Sequence, residues 1–176
     1  MMPDPTMSEV VAEAYASNPV GVVVWETLEI WHPVFAQPIR VVADRVALDA
    51  RIEAGAARNA GEVVTFAPYP FTAVPPDMQS TSIPQATIEI DNVTREIGQQ
   101  LDAAIIAGET TVVIWRSYLS GHQMDGPEHV PPLQMEVKAV SMPGIKVVVT
   151  VGFRDLLNQA FPALVYDTEV FAGLLP

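Results

Sequence analysis

Ala86-Thr87-Ile88-Glu89-Ile90-Asp91, followed directly by Asn92-Val93-Thr94-Arg95-Glu96-Ile97 and on to Ala107, places the two hydrophobic periods of folded proteins side by side. In the first six residues apolar and polar side chains alternate, so Ile88 and Ile90 share one face of a strand. From Asn92 onward the period changes. Val93, Ile97, Leu101 and Ile105 recur every fourth position, which predicts an amphipathic helix over 92–107 with one covered face. Asn92 can cap its free N–H groups and Gly108 is placed to end it.

Working outward, the same alternation recurs. On the C-terminal side, 110–119 and 133–140 read as strands, the second with Gln134, Glu136 and Lys138 outward, and 146–153 is a β-branched run. Met142-Pro143-Gly144 joins the last two as a tight connection, which predicts an antiparallel hairpin. On the N-terminal side, 20–31 alternates Val22, Val24, Leu28 and Ile30 against Trp25, Thr27, Glu29 and Trp31, a long strand with both faces at least partly covered. Ile39-Arg40-Val41-Val42 and Val63-Val64-Thr65-Phe66 are further strands.

Between Asp44 and Ala60 the composition shifts to Ala, Arg, Asp and Glu, which reads as a surface excursion, a partial helix or loop. Pro68, Pro70, Pro75 and Pro76 break the next stretch into short extended pieces, because each proline removes a ladder donor. Short helices are expected near the termini, after Ser8 and over 154–160, and an extended tail over 165–176. The expected fold is mainly β: about seven or eight strands in an antiparallel sandwich or partly open barrel, with one solid helix. An N-terminal arm over 1–18 precedes a single domain over 19–176.

Composition excludes several classes of chemistry. The chain has 176 residues, 49% of them hydrophobic, enough for one sizeable core. With 9 basic against 21 acidic residues, the net charge of -12 speaks against nucleic acid as a direct partner, since phosphate binding needs clustered Lys and Arg. The absence of cysteine removes disulfides, thiolate metal sites and thiol nucleophiles. The longest apolar stretches, near 20–25 and 147–151, fall far below the roughly 20 residues that span a bilayer, and no cationic region with an apolar run marks a secretory signal. A soluble protein without cofactor is expected.

The richest polar segment is Gly121-His122-Gln123-Met124-Asp125-Gly126-Pro127-Glu128-His129. His122, Asp125 and His129 are weak candidate metal ligands, against the plainer reading of an exposed hairpin loop. His32, in Trp31-His32-Pro33, fits a structural histidine that fastens a strand end to a neighbouring carbonyl better than a general base. Glu29 and Glu89 could be paired glycosidase acids, but solvated alternation is the simpler account. Trp25, Trp31 and Trp115 either fill the core or lie at a subunit interface. No Gly-x-Ser-x-Gly elbow, His-Glu-x-x-His or phosphate-cradling glycine loop is present.

A resemblance runs through these segments. Leu28-Glu29-Ile30-Trp31-His32-Pro33, then Pro38-Ile39-Arg40-Val41-Val42, Phe66-Ala67-Pro68-Tyr69-Pro70-Phe71, Pro75, and 86–97 look like a family of small phage tail proteins catalogued as a domain of unknown function, number 1833. Asp155-Leu156-Leu157-Asn158-Gln159-Ala160-Phe161-Pro162, Tyr166-Asp167 and Phe171-Ala172-Gly173-Leu174 continue it, so the likeness covers about 22–174 and leaves 1–18 outside. Ala172 stands where the family's closing motif usually has proline.

What the resemblance implies is a virion protein. Its expected place is the tail tip or baseplate of a long-tailed phage or prophage-like particle, assembled in the bacterial cytoplasm. It would form a three-fold or six-fold ring beside neighbouring tail-tip, tube and hub proteins, with no catalytic residue to carry over. Segments 67–84 and 165–176 are its candidate arms, and Trp25, Trp31, Trp115, Phe171 and Leu174 its candidate interface residues. Two other readings stand beside it: a carbohydrate- or small-molecule-binding β-sandwich using Trp31, Trp115 and the 122–129 loop, and a metal-dependent hydrolase using His122, Asp125 and His129.

Overall fold

The pairing of β1 (Val24–Trp31) with β7 (Val112–Leu119) is the axis of the molecule, an unbroken antiparallel register from Val24 opposite Leu119 to Trp31 opposite Val112. The structure, a computed structural model, describes residues 23–74, 85–91 and 96–153. Around that axis lie β2 (Ile39–Val42), β3 (Leu48–Arg51), β4 (Val63–Pro68), β5 (Phe71–Val74), β6 (Gln85–Asp91), β8 (Leu133–Ser141) and β9 (Lys146–Gly152). They form one nine-stranded sheet in the order β3-β4-β2-β1-β7-β8-β9-β6-β5. Among the described strands only β2 and β4 run parallel, touching at Val41 opposite Ala67 and Val42 opposite Pro68.

The expected mainly β class holds, as one continuous sheet that does not close on itself. The expected solid helix also holds as α1 (Glu96–Ala107), the one helix among the described residues, and residues 92–95 before it lie outside the described part. So do the short terminal helices, the 1–18 arm, the 165–176 tail and most of the proline-rich piece.

Period-two alternation divides the sheet into two buried faces. On the first, Leu28 and Ile30 of β1, Val113 of β7, Met135 of β8, Val147, Val149 and Val151 of β9, and Ile88 and Ile90 of β6 form one core with Ile97, Leu101 and Ala104 of α1. Each such aliphatic side chain withdrawn from water contributes about 1.5–3 kcal/mol. The helix stripe differs from the expected one at its end: Ala104 faces the sheet, while Ile105 is 56% exposed. A 3.6-residue turn drifts off a strict period of four, so after two repeats the i+3 position takes over. Gly108, at φ 77°, closes the helix by donating from its N–H to the Ala104 carbonyl at 3.3 Å.

On the second face, Val42, Leu48, Ala50, Ile52, Val64, Phe66 and Tyr118 form a smaller core. It exists because the β3–β4 hairpin curls back over the sheet. The N–H of Arg51, the last residue of β3, donates to the Gln123 carbonyl in the β7–β8 connection at 2.9 Å, and its Nε donates to the Met124 carbonyl at 2.8 Å. The 44–60 stretch is therefore only partly the expected loop, since it contains β3. That strand is short and polar on alternate positions, and β4 is its one strand partner among the described residues.

The Met142-Pro143-Gly144 connection joins β8 and β9 as an antiparallel pair, with Gly144 at φ 69°. A bulge between Val137 and Ala139 shifts the register. That extra residue bends β8 locally and increases its twist.

Candidate functional site

Five charged side chains converge on the second face, and only one of them stood out in the sequence. Glu29 lies on β1 opposite Arg40 of β2, and diagonally from Arg116, whose own partner in the ladder is Thr27. Arg40 Nε donates to Glu29 Oε2 at 3.0 Å and its Nη2 to Asn59 Oδ1 at 2.6 Å. Arg116 grips Glu53 with a two-pronged fork, Nε to Oε2 at 2.7 Å and Nη2 to Oε1 at 2.9 Å, the strongest form of such a pair. Its Nη1 lies 3.6 Å from Glu29 Oε2, beyond hydrogen-bond length.

The expectation that Glu29 is solvated is wrong: it is 1% exposed, as is Arg116. Alternation assigns a side chain to a face, but cannot tell that a distant loop, here 53–59, covers that face. Glu89 does lie at the surface, 3.3 Å from Lys146 Nζ.

Arg58 completes the group. Its guanidinium lies over the Trp31 ring at 3.9 Å from the centroid, and its Nε is 4.0 Å from Glu29 Oε1. Burial lowers the Arg58 pKa, with Glu29 opposing and the positive charges of Arg116 and Arg40 adding to the fall. Burial also works against the charge on Arg116, but the hydrogen bonds it donates to Glu53 and the charges of the two carboxylates more than offset it, so that pKa is raised. Tyr118, fully buried beside them, has its phenol pushed above the ordinary range chiefly by burial. Its hydroxyl donates to the Arg51 carbonyl at 3.1 Å.

Next to this cluster a cleft of about 640 Å³ runs between the 53–58 and 125–134 loops, with Trp31 and Ile114 of the sheet in its lining. Asp125 also lines it. This residue accepts a hydrogen bond from, or shares one with, His122 at 3.1 Å, both side chains being mostly exposed. His129 does not join them: among the described residues no three His, Asp or Glu side chains come together as metal ligands would.

The tryptophans are all partly buried and engaged within the chain. Trp25 Nε1 donates to Asp44 Oδ2 at 3.1 Å, Trp115 Nε1 donates to Glu26, and Trp31 carries Arg58 on its ring. Phe171 and Leu174 lie outside the described residues. His32 has the structural place expected of it: fully buried, it accepts from the Val34 N–H at Nδ1 (3.2 Å), which leaves Nε2 to donate to the Glu109 carbonyl (3.1 Å).

The family model described as Domain of unknown function (DUF1833) matches residues 10–166. The chain belongs to this family. No curated protein matches it. The match begins at residue 10, so part of the 1–18 segment expected to lie outside the family falls within it, whereas Phe171-Ala172-Gly173-Leu174 falls beyond its end. Glu29, Arg40, Glu53, Arg58 and Arg116 all lie inside the matched region of this DUF1833 chain.

Sequence reasoning missed four of those five. A signal existed for two of them: Arg40 and Arg116 occupy otherwise β-branched or aromatic strands, where an arginine facing a covered side must find a carboxylate. Nothing local marks Glu53 or Arg58, which sit in an Ala- and Gly-rich loop like many solvated ones.

Proposed function

We propose that this chain is a structural subunit of the tail-tip or baseplate complex of a long-tailed bacteriophage or prophage-like particle, one that links the tail tube to hub and receptor-binding parts. The observation that carries the reading is the open sheet. It ends at β3 on one side and β5 on the other, and each of these four-residue strands pairs with a single neighbour among the described residues. Edge strands offer backbone N–H and C=O groups to which a neighbouring subunit in a three-fold or six-fold ring can add a strand; at β3 both groups of Arg51 are already bonded within the chain, to Gln123 and Tyr118, so β5 is the better candidate.

Three further features support it. Ile105 and Ile106 of α1, 56% and 86% exposed, offer apolar contact of the kind subunit interfaces use. The charge of -12 keeps unassembled subunits soluble and repels passing DNA. No described helix is long and apolar enough to cross a membrane. The reading includes no enzymatic activity, no cofactor and a place in the virion.

A sugar-binding module draws less support. A pyranose platform needs an indole face open to solvent, and Arg58 covers that of Trp31.

Disrupting the gene in a producing host tests the proposal. The expected outcome is particles whose tails lack a tip, or heads without tails, restored by supplying the chain in trans. Normal, infectious particles that do not contain the chain would remove the proposal.

A further inference from the structure

Arg58 is a cation in an unusual condition. Among the described residues its guanidinium makes no hydrogen bond: Nε is shielded from solvent and unpaired, and its nearest carboxylate oxygen is 4.0 Å away. The side chain is nevertheless fixed, lying on the Trp31 ring at one side and against Glu29 at the other, with 27% of its surface exposed. Arg116 Nη1, in a side chain 1% exposed, is a second buried N–H without a hydrogen bond in the same cluster. Arginines 40, 58 and 116 face two carboxylates within the cluster, Glu29 and Glu53, and a third, Asp125, stands on the wall of the adjoining cleft. Arg40 and Arg116 are committed to their carboxylates. The uncommitted cation is Arg58, which lines the cleft between the 53–58 and 125–134 loops.

From this geometry we infer that the cleft is a binding site for a carboxylate carried on an apolar, extended peptide segment, the side chain of an Asp or Glu of a partner protein, with Arg58 as its receptor. A planar guanidinium held on an indole, with its outer N–H groups free, matches a carboxylate two-prong to two-prong. Little side-chain freedom is then lost on binding, because Trp31 already holds the fork in place.

A single charge suits the site better than a phosphate's two. Glu53 and Asp125 on the wall and the net charge of -12 repel a dianion more strongly than a single carboxylate. The rest of the wall favours a peptide over a free small acid. Pro127, Val130, Pro131 and Ile114 supply apolar surface for the flanking residues of such a segment, and Gln134 supplies an amide that can pair with its main chain. This inference rests on the cluster and cleft alone and stands apart from the tail-tip proposal.

The test is a titration of the full chain followed by NMR at the Trp31 indole N–H and the Arg58 Nε–H. The probes are acetyl-Pro-Glu-Pro-amide, its glutamine counterpart, acetate and inorganic phosphate. The Glu peptide should shift both signals and bind about tenfold more tightly than the Gln peptide or acetate, since a charge-assisted two-pronged pair is at stake. Arg58→Gln should abolish that preference, and Arg58→Lys, which keeps the charge but not the fork, should retain part of it. Arg58 makes no hydrogen bond to lose, so both variants should fold, and unchanged far-ultraviolet circular dichroism checks this. Equal binding of the Glu and Gln peptides, phosphate or acetate binding as tightly as the Glu peptide, or no shift at about 10 mM peptide would each overturn the inference.

Discussion

Glu29 is the residue on which the second face depends. Its carboxylate lies between three guanidinium groups and is 1% exposed. Replacing it with Gln keeps the shape but leaves Arg116 and Arg40 without a common counter-charge. Breaking a buried pair from one side costs about 3–5 kcal/mol, and urea unfolding of Glu29→Gln should show a loss of that order. Glu89→Gln, which removes the exposed partner of Lys146, should cost less than about 0.5 kcal/mol. Equal losses would mean that the cluster is solvated in solution.

Tyr118 makes a pH prediction at the same scale. Its folded pKa is raised by burial, so the folded state holds the phenolic proton more tightly than the unfolded chain does. Its contribution is fully present below the unfolded value of about 10 and is lost as pH rises from there toward the folded value. Tyr118→Phe should cost about 1 kcal/mol at neutral pH, through the hydrogen bond to the Arg51 carbonyl, and should flatten the fall in stability above pH ~10. An unchanged alkaline slope in urea titrations would show that Tyr118 ionises freely in the folded protein.

At the scale of elements, α1 shows how far periodicity reaches. Its existence, position and terminating Gly108 follow from the 92–108 pattern, but the inward stripe is Ile97, Leu101 and Ala104, not Ile105. Leu101→Ala should therefore cost about 2–5 kcal/mol and Ile105→Ala less than about 1 kcal/mol. Comparable losses in thermal unfolding would restore the stripe read from the sequence.

The strands divide in the same way. β1, β2, β4, β6, β7, β8 and β9 were legible because their side chains alternate or are β-branched. β3 was not, since Leu48-Asp49-Ala50-Arg51 is too short and polar to stand out from the loop around it. β5 was hidden among prolines for a related reason: edge strands tolerate them, and so lose the pattern by which strands are recognised. The charged cluster was the least legible part. It joins β1, β2, β7 and the 53–59 loop, residues as far as 87 positions apart in the case of Glu29 and Arg116, and only the strand order brings them together.

For the whole molecule, membership of the DUF1833 family stands on the match over residues 10–166, and the mainly β fold on the nine-stranded sheet of the described residues, with α1 packed against it. Among the described residues β3 and β5 each pair with one strand, and with the exposed end of α1 and the net charge of -12 they support the proposal of a subunit that works by contact with its neighbours. Cryo-electron microscopy of intact particles from a producing host tests that account most directly. It predicts density for this chain at the tail tip, in a ring of three-fold or six-fold symmetry, with a strand of an adjacent protein added to the β5 edge. Particles whose fully traced tail contains no copy of the chain would contradict it.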